Sequence, residues 1–72
     1  MEKTVFIGGA KFKAAIILAA MHGVNQYTLA DAADFDAWRI HEYQHKGIEL
    51  SVSAAERFSD CAGVDLDFLT SR

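Results

Sequence analysis

The sequence predicts an all-α fold: a compact domain of five short helices with a short strand at its N-terminus. Three observations predict it. Proline is absent from the 72 residues and 51% of them are hydrophobic, a composition that suits a folded, mostly helical chain rather than a disordered tail. From Lys11 onward the apolar residues recur at helical spacing. Between those runs stand residues that start and stop helices: Gly23, Asn25, Asp34, Asp36, Gly47, Ser51, Ser53, Gly63 and Asp65.

The elements follow in order. Thr4-Val5-Phe6-Ile7 is β-prone and is stopped by Gly8-Gly9; four residues alone make no stable strand, so residues 1–9 form an arm that needs a partner surface. Lys11 to His22, KFKAAIILAAMH, contains no breaker and is rich in strong helix formers. Its apolar positions wrap most of the way round, so it must be covered on more than one side, by the rest of the chain or by a second copy. Gly23 suits a left-handed C-cap, and Asn25 suits the N-cap of a second helix whose first residue is Gln26. Leu29, Ala30 and Ala33 share one face of that helix. Asp34 falls where the chain must turn sharply, a place that Asp can fill in the left-handed conformation. Asp36 then caps a third helix running to about His45, with Ile40 and Tyr43 on one face, and Lys46-Gly47 breaks it. Ser51 or Ser53 starts a fourth helix with Ala54, Ala55, Phe58, Cys61 and Ala62 on its core side, closed by Gly63. Asp65 caps a last turn carrying Leu66, Phe68 and Leu69. The pair of helices at 25–45, joined by a tight turn, is a helix-turn-helix unit inside a single domain, 1–72.

Composition narrows the function. Seven basic against ten acidic residues give a net charge of −3 and a pI near 5.4, the wrong sign for a protein bound mainly through phosphates, so any contact with nucleic acid must come from a local patch. One cysteine, Cys61, excludes an intrachain disulfide and fits a reducing, cytoplasmic compartment. It lies on the core side of its helix and has no basic neighbour in sequence, which suits a buried thiol rather than a nucleophile. No apolar run reaches the ~18 residues of a membrane span, so no membrane partner is expected. A core this small leaves only a few kcal/mol of net stability below roughly 80 residues, which favours a partner chain.

Gly23-Val24-Asn25-Gln26, then Leu29-Ala30, Ala33, Ile40 and Tyr43, and finally Ala62-Gly63-Val64-Asp65-Leu66-Asp67-Phe68-Leu69 resemble the Cro and repressor class of helix-turn-helix domains, the lambdoid phage repressors in particular. The resemblance runs from about Lys11 to Leu69, with one added residue before the fourth helix. It implies a repressor-like fold and a homodimeric, sequence-specific transcription regulator on double-stranded operator DNA, with no cofactor and no catalysis. In that family the second helix opens against the DNA backbone and the third lies in the major groove. Carried over, Ala37, Trp38, Arg39 and Glu42 would read bases, with Gln26, His45 and Lys46 near phosphates. Helix geometry at about 100° per residue turns Ile40 and Tyr43 inward and Trp38, Glu42 and His45 outward, with His41 beside them and Arg39 on the flank. There Arg39 can hold a guanine edge, Glu42 can accept from a cytosine amino group, and Trp38 can pack on a thymine methyl.

Two other readings use the same residues. Asp34, Asp36 and Glu42 place carboxylates where phosphates would come, and an outward tryptophan is costly to leave in water, so the face around Trp38 also suits a protein partner, as in an antirepressor or an inhibitor of a regulator or nuclease. His41-Glu42-Tyr43-Gln44-His45 fits H-E-x-x-H and resembles the zinc peptidases: His41 and His45 lie one helical turn apart, able to share a metal, with Glu42 placed to activate its water. A catalytic site needs a third ligand, for which Glu49, Glu56, Asp60 and Asp65 are available. The metzincin extension is absent, since Gly47 comes one position early and no third histidine follows.

Overall fold

The Thr4–Ile7 arm finds its partner within its own chain. In the computed structural model, which describes residues 3–71, β1 (Thr4–Ile7) pairs antiparallel with β2 (Ile48–Ser51), setting Val5 opposite Leu50 and Ile7 opposite Ile48. The alternation is that of a half-covered sheet: Ile7, Ile48 and Leu50 are buried, whereas Phe6 and Glu49 face outward. The domain is mainly helical, as expected, and the expected N-terminal strand belongs to a two-stranded sheet. The second strand lies between the third and fourth helices, where no strand is expected from sequence.

Five α-helices stand among the described residues: α1 (Gly9–Met21), α2 (Gln26–Ala33), α3 (Ile40–Lys46), α4 (Val52–Ala62) and α5 (Leu66–Thr70), with a 3-10 turn at Ala37–Arg39 leading into α3. The boundaries follow the expected caps. Ser51, not Ser53, caps α4, its Oγ accepting from the Ala54 N–H at 3.2 Å. α1 begins two residues earlier than expected, because Gly9 is needed inside the helix: a Cβ there would lie 2.6 Å from the Gln44 carbonyl oxygen and 2.9 Å from that of His45. Gly9 thus sets a close approach of α1 to the end of α3 rather than a simple stop.

The core is built on Phe12. It is fully buried, stacks on Phe58 of α4 at 5.4 Å between ring centroids, and meets Tyr43 of α3 edge-on at 5.8 Å. It also meets Phe35, from the turn between α2 and α3, at 5.5 Å. Ile7, Leu29 and Leu69 complete the fully buried set of large side chains, so the sheet, α2 and α5 close on the same centre. Cys61 is half-buried and packs at the edge of that core.

α1 packs against α2, α3, α4 and α5 through its Phe12, Ala15 and Ala19 side. Its opposite side leaves Ile17, Leu18 and Met21 exposed. No helix among the described residues is long and apolar enough to cross a membrane.

Candidate nucleic-acid interface

Three local devices fix the helix pair. Asn25 Oδ1 accepts from the Thr28 N–H at 2.9 Å and from its hydroxyl at 3.2 Å, which opens α2 with a half-buried Gln26 as its first residue. Asp34 ends α2 at φ 57°, ψ 47°, in the left-handed region, and the Phe35 N–H donates back to the Ala30 carbonyl at 3.0 Å. Asp36 Oδ1 then accepts from the Trp38 N–H at 3.0 Å and starts the 3-10 turn. Phe35 turns inward between these two aspartates, edge-on to Tyr43 at 5.9 Å, so the connection is pinned to the core at its middle. At the same C-terminal end of α2 the Arg57 Nε–H of α4 donates to the Ala32 carbonyl at 2.8 Å.

The outer side of the third-helix segment carries the expected residues, but the α-helix itself starts later than expected. Trp38 and Arg39 belong to the 3-10 turn, which winds more tightly than an α-helix, and only Ile40 to Lys46 are α-helical. Ile40 is buried and Tyr43 half-buried, as expected. Trp38 is 90% exposed, and Arg39, His41, His45 and Lys46 are exposed with it. Ala37 is half-buried and packs against the core.

Charge on this surface is arranged as a row. The Arg39 Nε–H donates to Glu42 Oε2 at 3.0 Å, and Lys46 Nζ lies 3.6 Å from Glu42 Oε1. The hydrogen bond from Arg39, and then its charge, hold the Glu42 carboxyl below the usual glutamate value of 4.5, with Lys46 adding to the effect. The same bond and the Glu42 charge raise Arg39, to which Tyr43 and Asp36 contribute further. Both pairs are solvent-screened, so they orient side chains more than they stabilise the fold.

Beside the row lies an open groove of about 560 Å³ between α2 and the turn. Tyr27 and Trp38 wall it with aromatic surface, and Asp31, Asp34 and Asp36 border it with carboxylates. Tyr27 and Asp31 were not among the residues singled out from sequence; their four-residue spacing on the exposed side of α2 is the signal that points to them.

His41 and His45 stack edge-to-face with ring centroids 5.6 Å apart. Among the described residues no third histidine, cysteine, aspartate or glutamate joins them in a group able to hold a metal ion. Glu42, the water-activating residue of the zinc reading, is already held between Arg39 and Lys46. Comparison with protein-family models, curated proteins and solved structures found no match to this chain.

Proposed function

We propose that the chain is a sequence-specific DNA-binding transcription regulator of the Cro and phage-repressor type, acting as a homodimer on a two-fold operator. One observation carries the reading: a helix pair joined by a left-handed Asp34 turn and anchored by Phe35, whose second member turns Trp38, Arg39, His45 and Lys46 away from the core. In this reading Gln26 meets the backbone at the start of α2, and α3 enters the major groove. Arg39 takes a guanine edge, Trp38 packs on a thymine methyl, and His45 and Lys46 approach phosphates. A second copy would cover the apolar side of α1 at Ile17, Leu18 and Met21. Duplexes enriched from a randomised pool by the purified chain test this directly. Arg39→Ala is expected to cost about 1–3 kcal/mol on the enriched duplex, and Lys46→Ala to lower the salt slope by about one unit. Unchanged binding in both variants would refute these contacts.

The groove favours a second reading. Two exposed aromatic walls bordered by three aspartates suit a basic protein segment, consistent with an antirepressor or an inhibitor of a regulator or nuclease. This reading expects little salt-dependent DNA affinity and loss of the protein partner on Trp38→Ala. Enrichment of a defined duplex decides for the first.

A further inference from the structure

The geometry points to Glu42 as a positioning residue that sets Arg39 to read one guanine, rather than as a base reader itself; this rests on the DNA-binding reading above. Each oxygen of the Glu42 carboxylate already faces a cation, Oε2 accepting from Arg39 Nε–H and Oε1 facing Lys46. A carboxylate bracketed in this way is oriented toward the cations of its own segment, and turning it to a cytosine amino group would disturb both contacts.

The atom through which Arg39 is held matters. A guanidinium carries one N–H at Nε and four on its two terminal nitrogens, in a planar fork. Glu42 takes the Nε–H, and among the described residues no other hydrogen bond from that guanidinium is present, so the terminal nitrogens stay free at the tip. Those are the two donors that an end-on bidentate contact with guanine O6 and N7 requires. Holding the Nε side fixes the plane of the fork and removes much of the rotamer freedom that a long side chain otherwise loses when it meets a base. Lys46, one turn further along, holds the other side of the carboxylate. Arg39, at the end of the 3-10 turn, and Glu42 and Lys46 of α3 thus form a single row, with the fork at its leading end.

The charge of Glu42 acts in the other direction. A carboxylate on the DNA-facing side of α3 repels phosphates and offsets two cations, which lowers affinity for every duplex alike. Glu42 therefore exchanges general affinity for discrimination at one base pair. Its removal should raise the first and lower the second.

The test uses the full chain and duplexes enriched by it from a randomised 20-base-pair pool. Affinities of the native chain, Glu42→Gln, Glu42→Ala and Arg39→Ala are measured on the enriched duplex, on derivatives with each G·C pair replaced by A·T, and on the unselected pool. The native chain is expected to prefer one G·C pair by about tenfold or more, a preference abolished by Arg39→Ala. In Glu42→Ala that preference should fall to within about threefold while other positions keep theirs, and the unselected pool should bind more tightly. Glu42→Gln, whose amide oxygen can still accept from Nε, should retain part of the preference yet share the gain on the unselected pool. A preference intact in Glu42→Ala, or lowered equally at every position, overturns the inference while leaving the DNA-binding reading standing. A chain that enriches no duplex overturns both.

Discussion

Replacing Gly9 by alanine sets two physical effects of opposite sign against each other. Helix propensity alone predicts a gain, since glycine in a helix interior is about 0.8–1.0 kcal/mol less favourable than alanine, and somewhat less so in the first turn where Gly9 stands. Packing predicts a loss. The added Cβ would sit 2.6 Å from the Gln44 carbonyl oxygen and 2.9 Å from that of His45, where ordinary contact begins at 3.4 Å, so backbone must move by several tenths of an ångström. Both obstacles are main-chain carbonyls in the last turn of α3 rather than the far ends of flexible side chains, and forced overpacking of this kind typically costs about 1–3 kcal/mol. The net expectation is a destabilisation of about 1–2 kcal/mol, which in a domain of this size lowers Tm by roughly 4–15 °C. Thermal and urea unfolding followed by circular dichroism measure it. Gly8→Ala is the control, because nothing lies within 4 Å of its Cβ and its φ of −62° is open to any residue. A Gly9→Ala chain as stable as the native one, or more stable, would refute the close approach of α1 to α3.

Three further predictions concern the core, the helix pair and the charged row. Phe12→Ala removes the ring that meets Phe35, Tyr43 and Phe58, and should cost about 3–5 kcal/mol in urea unfolding; a loss below about 2 kcal/mol would contradict its central place. Asn25→Ala removes the acceptor of two Thr28 hydrogen bonds and should cost about 1 kcal/mol, a drop in Tm of roughly 4–8 °C; an unchanged Tm would show that α2 does not depend on this cap. Glu42 should titrate below 4.5 by carboxyl-carbon NMR, so its pairing persists above that value and is lost as pH falls through the lower midpoint. Arg39→Ala should return the midpoint toward 4.5 by more than Lys46→Ala does, because the Arg39 hydrogen bond is the larger cause; the reverse order would contradict the geometry of the row.

Much of the helical framework was legible because it is written in single residues with local effects. Asn25, Asp36, Ser51 and Asp65 each accept a backbone N–H where a cap was expected, and Asp34 takes the left-handed conformation that its place in the turn demands. What the sequence hid is non-local. Ile48 to Ser51 is too short to declare itself a strand, and its partner, Thr4 to Ile7, lies more than forty residues earlier in the chain. Gly9 reads as a breaker until the α3 carbonyls beside it are known. Phe35 reads as part of a polar turn, because nothing nearby shows that Phe12, Tyr43 and Phe58 wait beneath it.

The candidate interface divides in the same way. The outward exposure of Trp38, Arg39 and His45 followed from spacing, and the half-burial of Ala37 fits its place three residues before the buried Ile40. The Arg39, Glu42 and Lys46 row was readable in principle from its three- and four-residue spacings. Which oxygen meets which cation was not.

The proposal that α3 reads DNA stands or falls on a titration of isotope-labelled chain with an enriched duplex, first at low and then at physiological salt. Saturating amide shifts are expected at Gln26 and from Ala37 to Glu42, and they should survive the added salt, since base contacts persist where purely phosphate-driven binding fades. Amides that stay in place even at low salt would contradict it and turn attention to a basic protein partner in the Tyr27 and Trp38 groove.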